Sequence, residues 1–189
     1  MAVQRSPNFP LPGGPLPDDL PPLPLVGGGS AQLSSVSDGR SAKLIVFYRG
    51  GFCPFCRQTL TDLQAKQPAV ADAGWEVLAV SADTEEVAAK THSELGLTFP
   101  VAHSLSAETM HRLGLYVSDP KNYIEQPQLF AEPAYILLSQ DGNIRYRAEA
   151  SHPMGGRPNI DALLMGFNYV KQRSLEDAAF AKHTWGAVV

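Results

Sequence analysis

A chain of 189 residues, 44% hydrophobic and 18% charged, is long enough for one compact domain with a sizeable core. The formal net charge of -4, with Lys and Arg scattered, argues against an electrostatic nucleic-acid binder. No run reaches the roughly 20 apolar residues that span a bilayer, so neither nucleic acid nor a membrane is expected as a partner.

The N-terminus also lacks the apolar core of a signal peptide, so a cytoplasmic location is expected. In a reducing cytosol a close cysteine pair is more often catalytic or metal-binding than a structural disulfide.

Residues 1–29 are rich in Pro and Gly, and no regular helix or central strand fits them. They are expected to form a flexible arm. The competing reading is a docked extended segment that packs Phe9, Leu20, Leu23 and Leu25 on a surface. From residue 30 the text is that of a folded domain, running to 171 and followed by a tail at 172–189.

Leu44–Tyr48 is a short apolar run, as for a strand buried on both faces, and Gly50–Gly51 break it. A helix is expected to start at Cys53–Pro54, with Cys56, Leu60 and Leu63 on one face and Pro68 ending or kinking it. Trp75–Ala82 reads as a second buried strand. A helix over 84–95 follows, with Thr84 as its N-cap. Phe99–Ala102 is a short strand and Ala107–Leu113 a short helix stopped by Gly114. Residues 116–132 read as a loop. Ala134–Leu138 and Ile144–Ala150 read as a hairpin around Asp141–Gly142, and Asn159–Lys171 as a last helix. The alternation implies parallel strands joined by crossover helices, with the hairpin as an antiparallel edge.

Both cysteines of the chain, Cys53 and Cys56, lie in FYRGGFCPFCRQTL. Three readings compete. A structural zinc site normally needs four ligands, and no second cysteine pair or nearby His pair supplies them. Free cysteines also pack well in cores. The third reading is a redox dithiol. At a strand-to-helix junction the first cysteine sits among unpaired amides at the positive end of the dipole, which favour a thiolate. Arg49 and Arg57 add positive charge. Spacing of three lets a disulfide close within one turn. In that reading Cys53, at the exposed edge, attacks, and Cys56, one turn deeper, resolves.

The stretch resembles the active-site strand and helix of the thioredoxin superfamily. More narrowly it resembles the alkyl hydroperoxide reductase/thiol-specific antioxidant branch and its peroxiredoxin-like members with an FYRGxxCPxC motif. WEVLAVSAD, FPVAHSLSAETMHRLGLY and EPAYILLSQDGNIRYR extend the likeness over about Pro24–Lys171. The resemblance implies an α/β thioredoxin-like fold, a central mixed sheet flanked by helices, here with an N-terminal Pro-rich extension. It also implies thiol-dependent redox activity without a bound cofactor or metal. A thioredoxin- or glutathione-like reducing system would be the partner, and a disulfide or a hydroperoxide the substrate. Such proteins often associate, which makes a homodimer compatible with the sequence.

Two places separate the sub-branches. The peroxiredoxin pattern P-x-x-x-[ST]-x-x-C, laid on without gaps, puts its Pro on Arg49, its hydroxyl residue on Cys53 and its peroxidatic cysteine on Cys56. The second is Pro133, nine residues before Gly142. Thioredoxin-like reductases hold a cis-proline there and peroxiredoxins an Arg, so the resemblance implies a cis-Pro133 facing the dithiol and disulfide exchange as the leading activity. The alternative is an ordinary trans proline at a strand start. The first runner-up is a thiol peroxidase using Cys56 or Cys53; the second is a redox-sensing or interaction module. Phe52, Phe55 and Glu132 are candidate substrate contacts. Glu132 either points away or accepts a proton during exchange. Arg145 and Arg147 are expected on solvated surface, His152 in a turn and Trp75 in the core.

Overall fold

The computed structural model describes residues 9–120 and 128–181. Among these, the elements follow the order β1 (Leu23–Pro24), β2 (Ser30–Ala31), β3 (Ala42–Phe47), α1 (Pro54–Ala65), α2 (Gln67–Asp72), β4 (Trp75–Val80), α3 (Glu85–Glu94), β5 (Val101–Ala102), α4 (Ala107–Arg112), β6 (Val117–Ser118), β7 (Phe130–Ala131), β8 (Ala134–Ser139), β9 (Ile144–Glu149), α5 (Ile160–Glu176) and α6 (Ala178–Ala181). The central sheet has the order β5-β4-β3-β8-β9. Its first three strands are parallel, β8 runs antiparallel to β3, and β9 runs antiparallel to β8. Among the described residues no helix is long and apolar enough to cross a membrane.

Strand β3 is buried at every residue because both its faces are covered, and its one charged side chain, Lys43, pairs with Glu76 at 3.2 Å. Ile45 and Phe47 join a cluster with Leu16, Leu20, Met110 and Phe130. Leu44, Val46 and Tyr48 join the opposite cluster with Leu60, Leu63, Trp75 and Leu164. Trp75 lies in that core, edge-on to Phe167 at 5.5 Å.

The helix caps act as their sequences imply. Thr84 accepts from Val87 N, Ser106 from Thr109 N and Asn159 from Ala162 N. The break foreseen at Pro68 falls at Lys66, and Pro68 opens α2 because a first helical turn does not need its missing donor. The segment expected as a loop over 116–132 pairs β6 with β7, while its positions 121–127 lie outside the described residues. The helix expected to end at Lys171 runs five residues further, to Glu176, and α6 also lies within what was read as a tail from 172.

The expectation of a flexible arm is corrected for residues 9–29, which are docked. Leu16, Leu20 and Leu23 are 2–3% exposed and belong to the core. Gly13 N and Gly14 O bond the backbone of Ile144, and Val26 N bonds Val101 O at 2.9 Å. The prolines remove donors that have no partner along an extended edge, while the leucines between them bury apolar area. Arg147, expected on solvated surface, is covered by this arm. Its guanidinium lies over Phe9 at 5.3 Å and donates to the Pro10 and Gly114 carbonyls. Leu20→Ala is therefore expected to cost about 2–5 kcal/mol in chemical denaturation, as a core truncation does. A change within about 0.5 kcal/mol, the usual range for surface substitutions, would contradict the docked arm.

Candidate active site

The site lies beyond the C-terminal ends of β3 and β4, where parallel strands leave a crevice. After β3 the chain turns sharply at Gly50 and Gly51. Gly50 has φ +145°, and a Cβ there would lie 2.6 Å from Asp83 Oδ1. A Cβ on Gly51 would collide with Thr91 Oγ1. The turn is held from β4: Asp83 Oδ2 accepts from Gly51 N at 2.9 Å and from Ser81 Oγ at 3.0 Å. The burial of Tyr48, followed by the negative charge of Asp83, keeps its phenol protonated.

The turn delivers Cys53 as the N-cap residue of α1, in extended conformation, with Pro54 in the first turn. Its carbonyl accepts from Cys56 N at 3.1 Å and Arg57 N at 3.0 Å. Both cysteines are free. Neither sulfur is at an exposed edge: Cys53 is 1% exposed and Cys56 2%. That corrects the expectation for Cys53, and the reason is local packing, since half-buried Phe52 joins both core clusters around it.

The two thiols have opposite characters. A hydrogen bond from the Cys56 thiol brings the Cys53 sulfur down to about 5, against the opposing effect of burial, and the Arg49 guanidinium adds a second donor and a positive charge. Cys56 is pushed up because its proton is held in that hydrogen bond, because it is buried and because the Cys53 charge is adjacent. The Arg157 guanidinium acts against this, with Nη2 at 3.4 Å from Cys56 Sγ.

A depressed pKa means that the ionised sulfur is present above it. Alkylation of Cys53 by iodoacetamide should therefore rise as pH climbs through about 5 and stay level to neutrality. A midpoint near the free-thiol value of about 8.5 would contradict this.

Arg49 is buried. Its Nε lies 3.2 Å from Glu132 Oε2, and its guanidinium carbon lies 4.7 Å from the Phe130 centroid and 5.4 Å from that of Phe52. Phe52 meets Phe130 edge-on at 5.2 Å. Glu132 also accepts from Ser118 Oγ at 2.5 Å. At 3% exposure Glu132 offers no surface to a substrate; it neutralises Arg49. Phe55, 49% exposed, stands at the rim.

Pro133 enters next to this group because β8 pairs Ala134 with Phe47. Its peptide bond is trans, as are all those among the described residues. The cis-proline implied by resemblance is therefore corrected to the trans strand-start proline. The Pro133 carbonyl accepts from Ala150 N at 3.0 Å and is thereby engaged within the sheet.

Arg157 was not singled out in the sequence. The loop SHPMGGRP drew attention for His152, which caps Met154 N within its own turn. A clue was present in the glycine pair ahead of Arg157. Among the described residues no group of three or more His, Cys, Asp or Glu side chains is placed to hold a metal ion.

The AhpC/TSA family model matches residues 4–147. Among solved structures, peroxiredoxin Q of Xanthomonas campestris is 26% identical, with a TM-score of 0.64, covering 84% of this chain and 97% of that one. The bacterioferritin comigratory protein of Xanthomonas campestris, examined for alkyl peroxide reduction activity, is 25% identical, with a TM-score of 0.64 and coverage of 84% and 98%. Peroxidoxin BcpB from Mycobacterium tuberculosis, 15% identical with a TM-score of 0.67, covers 83% of this chain and 96% of its own, and shares the fold. No curated protein matches by sequence. A thioredoxin-like sheet, a dithiol at the head of its first long helix and a match over three quarters of the sequence converge, and the chain belongs to the AhpC/TSA family of thiol-dependent oxidoreductases.

Proposed function

We propose that the protein is a dithiol peroxidase in which Cys53 reduces a hydroperoxide and Cys56 resolves the product. The observation that carries this reading is the burial of the Cys53 sulfur, 1% exposed, with the Cys56 thiol and the Arg49 guanidinium as its donors. Attack on a protein disulfide requires the nucleophile to line up with two sulfurs of a bulky partner. A hydroperoxide is small enough to enter a narrow opening. The likeness to peroxiredoxin Q supports the same choice.

The Cys53 thiolate attacks the terminal peroxide oxygen, the O–O bond breaks, and the leaving alkoxide takes a proton from water. Cys53 becomes a sulfenic acid. Arg49 offsets the charge that moves from sulfur to the oxygens, while the Phe52 and Phe130 rings and Glu132 hold its guanidinium in place. Cys56 then forms the Cys53–Cys56 disulfide and the sulfenic hydroxyl leaves as water. An external thiol system returns the pair to the dithiol.

A second reading, disulfide exchange, is favoured by the one-turn spacing of the pair and by exposed Phe55 beside it. The test compares consumption of hydrogen peroxide and of a small alkyl hydroperoxide with reduction of insulin disulfides, each with excess dithiothreitol. In Cys56→Ser, dimedone should label Cys53 after one equivalent of peroxide. Fast insulin reduction without peroxide consumption would select the second reading. Peroxide consumption that survives Cys53→Ser but not Cys56→Ser would move the peroxidatic role to Cys56.

A further inference from the structure

Arg157 has no part in the reaction as described, yet it reaches a reacting atom. It lies in the connection from β9 to α5, 101 residues from Cys56, and its Nη2 is 3.4 Å from Cys56 Sγ. The connection is shaped around it. Nη1 donates to the Pro153 carbonyl and, at 3.2 Å, to the Gly155 carbonyl. Gly156 has φ +70°, and a Cβ there would lie 2.6 Å from Ala150 N, so this turn requires glycine immediately before Arg157. On its outer side Arg157 lines a cavity of about 510 Å³ with Thr59, Lys66, Tyr135 and Asp161. The guanidinium thus stands between that cavity and the Cys56 sulfur, on a different connection from the one carrying Arg49.

We propose that Arg157 is a catalytic residue of the resolving step, holding Cys56 as a thiolate once Cys53 has been oxidised and not before. This rests on the assignment of Cys53 as the attacking sulfur. In the dithiol, adjacent sulfurs share one negative charge, and it resides on Cys53. Oxidation of Cys53 puts a hydroxyl on that sulfur and removes the charge that kept Cys56 protonated.

The other groups that bear on Cys56 are then Arg49, the neutral phenols of Tyr48 just after β3 and Tyr135 on β8, and Arg157. A charge-assisted hydrogen bond from Arg157 favours ionisation at that stage. The proton lost by Cys56 joins the hydroxyl that leaves Cys53. The S–S bond forms, the S–O bond breaks and water departs, with no further oxidant or reductant. The arrangement orders the two steps: Cys56 stays a hydrogen-bond donor while Cys53 needs one, and becomes a nucleophile when Cys53 becomes an electrophile.

The test follows Arg157→Gln and Arg157→Lys by rapid mixing with hydrogen peroxide. Oxidation of Cys53 and formation of the disulfide are timed separately. The ratio of disulfide-formation rate to oxidation rate should fall about tenfold in Arg157→Gln, equivalent to one pKa unit in the ionised fraction. Dimedone-trapped sulfenic acid should rise, and Arg157→Lys should recover part of the ratio. An unchanged ratio, or an equal fall in both steps with no recovery by Lys, would overturn the proposal.

A second measurement needs no peroxide. With Cys53→Ser, Cys56 is the sole cysteine, and its alkylation by iodoacetamide against pH should shift upward by about one unit on adding Arg157→Gln. If this shift is found in a protein that does not reduce peroxide, the peroxidase reading fails and Arg157 stands as the group that ionises Cys56. If peroxide is reduced and the shift is absent, the role of Arg157 fails alone.

Discussion

Cys53→Ser is expected to abolish turnover, by about a thousandfold or more, as loss of a covalent nucleophile does in other enzymes. The reason lies in the geometry around that sulfur. The Cys56 thiol and the Arg49 guanidinium converge on it from two directions, and together they bring it to about 5 despite burial. A serine hydroxyl in the same place stays protonated and cannot be oxidised. Cys56 does not take over in the resting dithiol, because its own environment raises it. Cys56→Ser should behave differently: without added thiol, one equivalent of peroxide is consumed and the reaction then stops at the sulfenic acid. It also loses the donor that most strongly lowers Cys53, so its alkylation profile should shift to higher pH. A Cys53→Ser protein that turned over peroxide at more than a tenth of the native rate would refute the assignment.

Glu132→Ala is expected to have the largest effect on stability, a loss of about 3–5 kcal/mol. Arg49 and Glu132 have 7% and 4% of their side chains exposed and meet at 3.2 Å. Removing the carboxylate leaves a guanidinium buried between two phenyl rings with only the Cys53 sulfur to offset its charge. The penalty is the uncompensated charge rather than the attraction lost. A double variant, Arg49→Met with Glu132→Leu, should therefore recover most of the stability while losing peroxide reduction. Urea denaturation of the native protein and the two variants measures both arms. A loss below about 1 kcal/mol in Glu132→Ala, the range of exposed pairs, would show that water reaches the pair.

The strands and helices were readable along the chain because their signals are short-range. The unbroken apolar run at Leu44–Tyr48 and the largely apolar Trp75–Ala82 need cover on both faces wherever they sit, and they became β3 and β4. Thr84, and Asn159 at the head of the last predicted helix, bond amides three residues on, so their capping does not depend on the rest of the fold. Asp141–Gly142 closes a hairpin between its own neighbours. The placement of Cys53 and Cys56 at the start of one helix was equally legible, since a spacing of three after a strand break suffices to bring them together.

What escaped the linear reading depends on partners far along the chain. Composition alone left residues 9–29 as an arm; their leucines are buried because residues near Ile144 and Val101 offer free backbone edges beside them. Glu132 read as a substrate contact that points away or accepts a proton until the fold set it against Arg49. The trans bond at Pro133, the burial of Cys53 and the approach of Arg157 to Cys56 likewise follow from how the ends of β3, β8 and β9 meet. Secondary structure answers to neighbours within a few residues. The charge and access of a sulfur answer to every group the fold brings within a few ångströms, and in this protein those groups come from distant parts of the chain that meet at one end of the sheet.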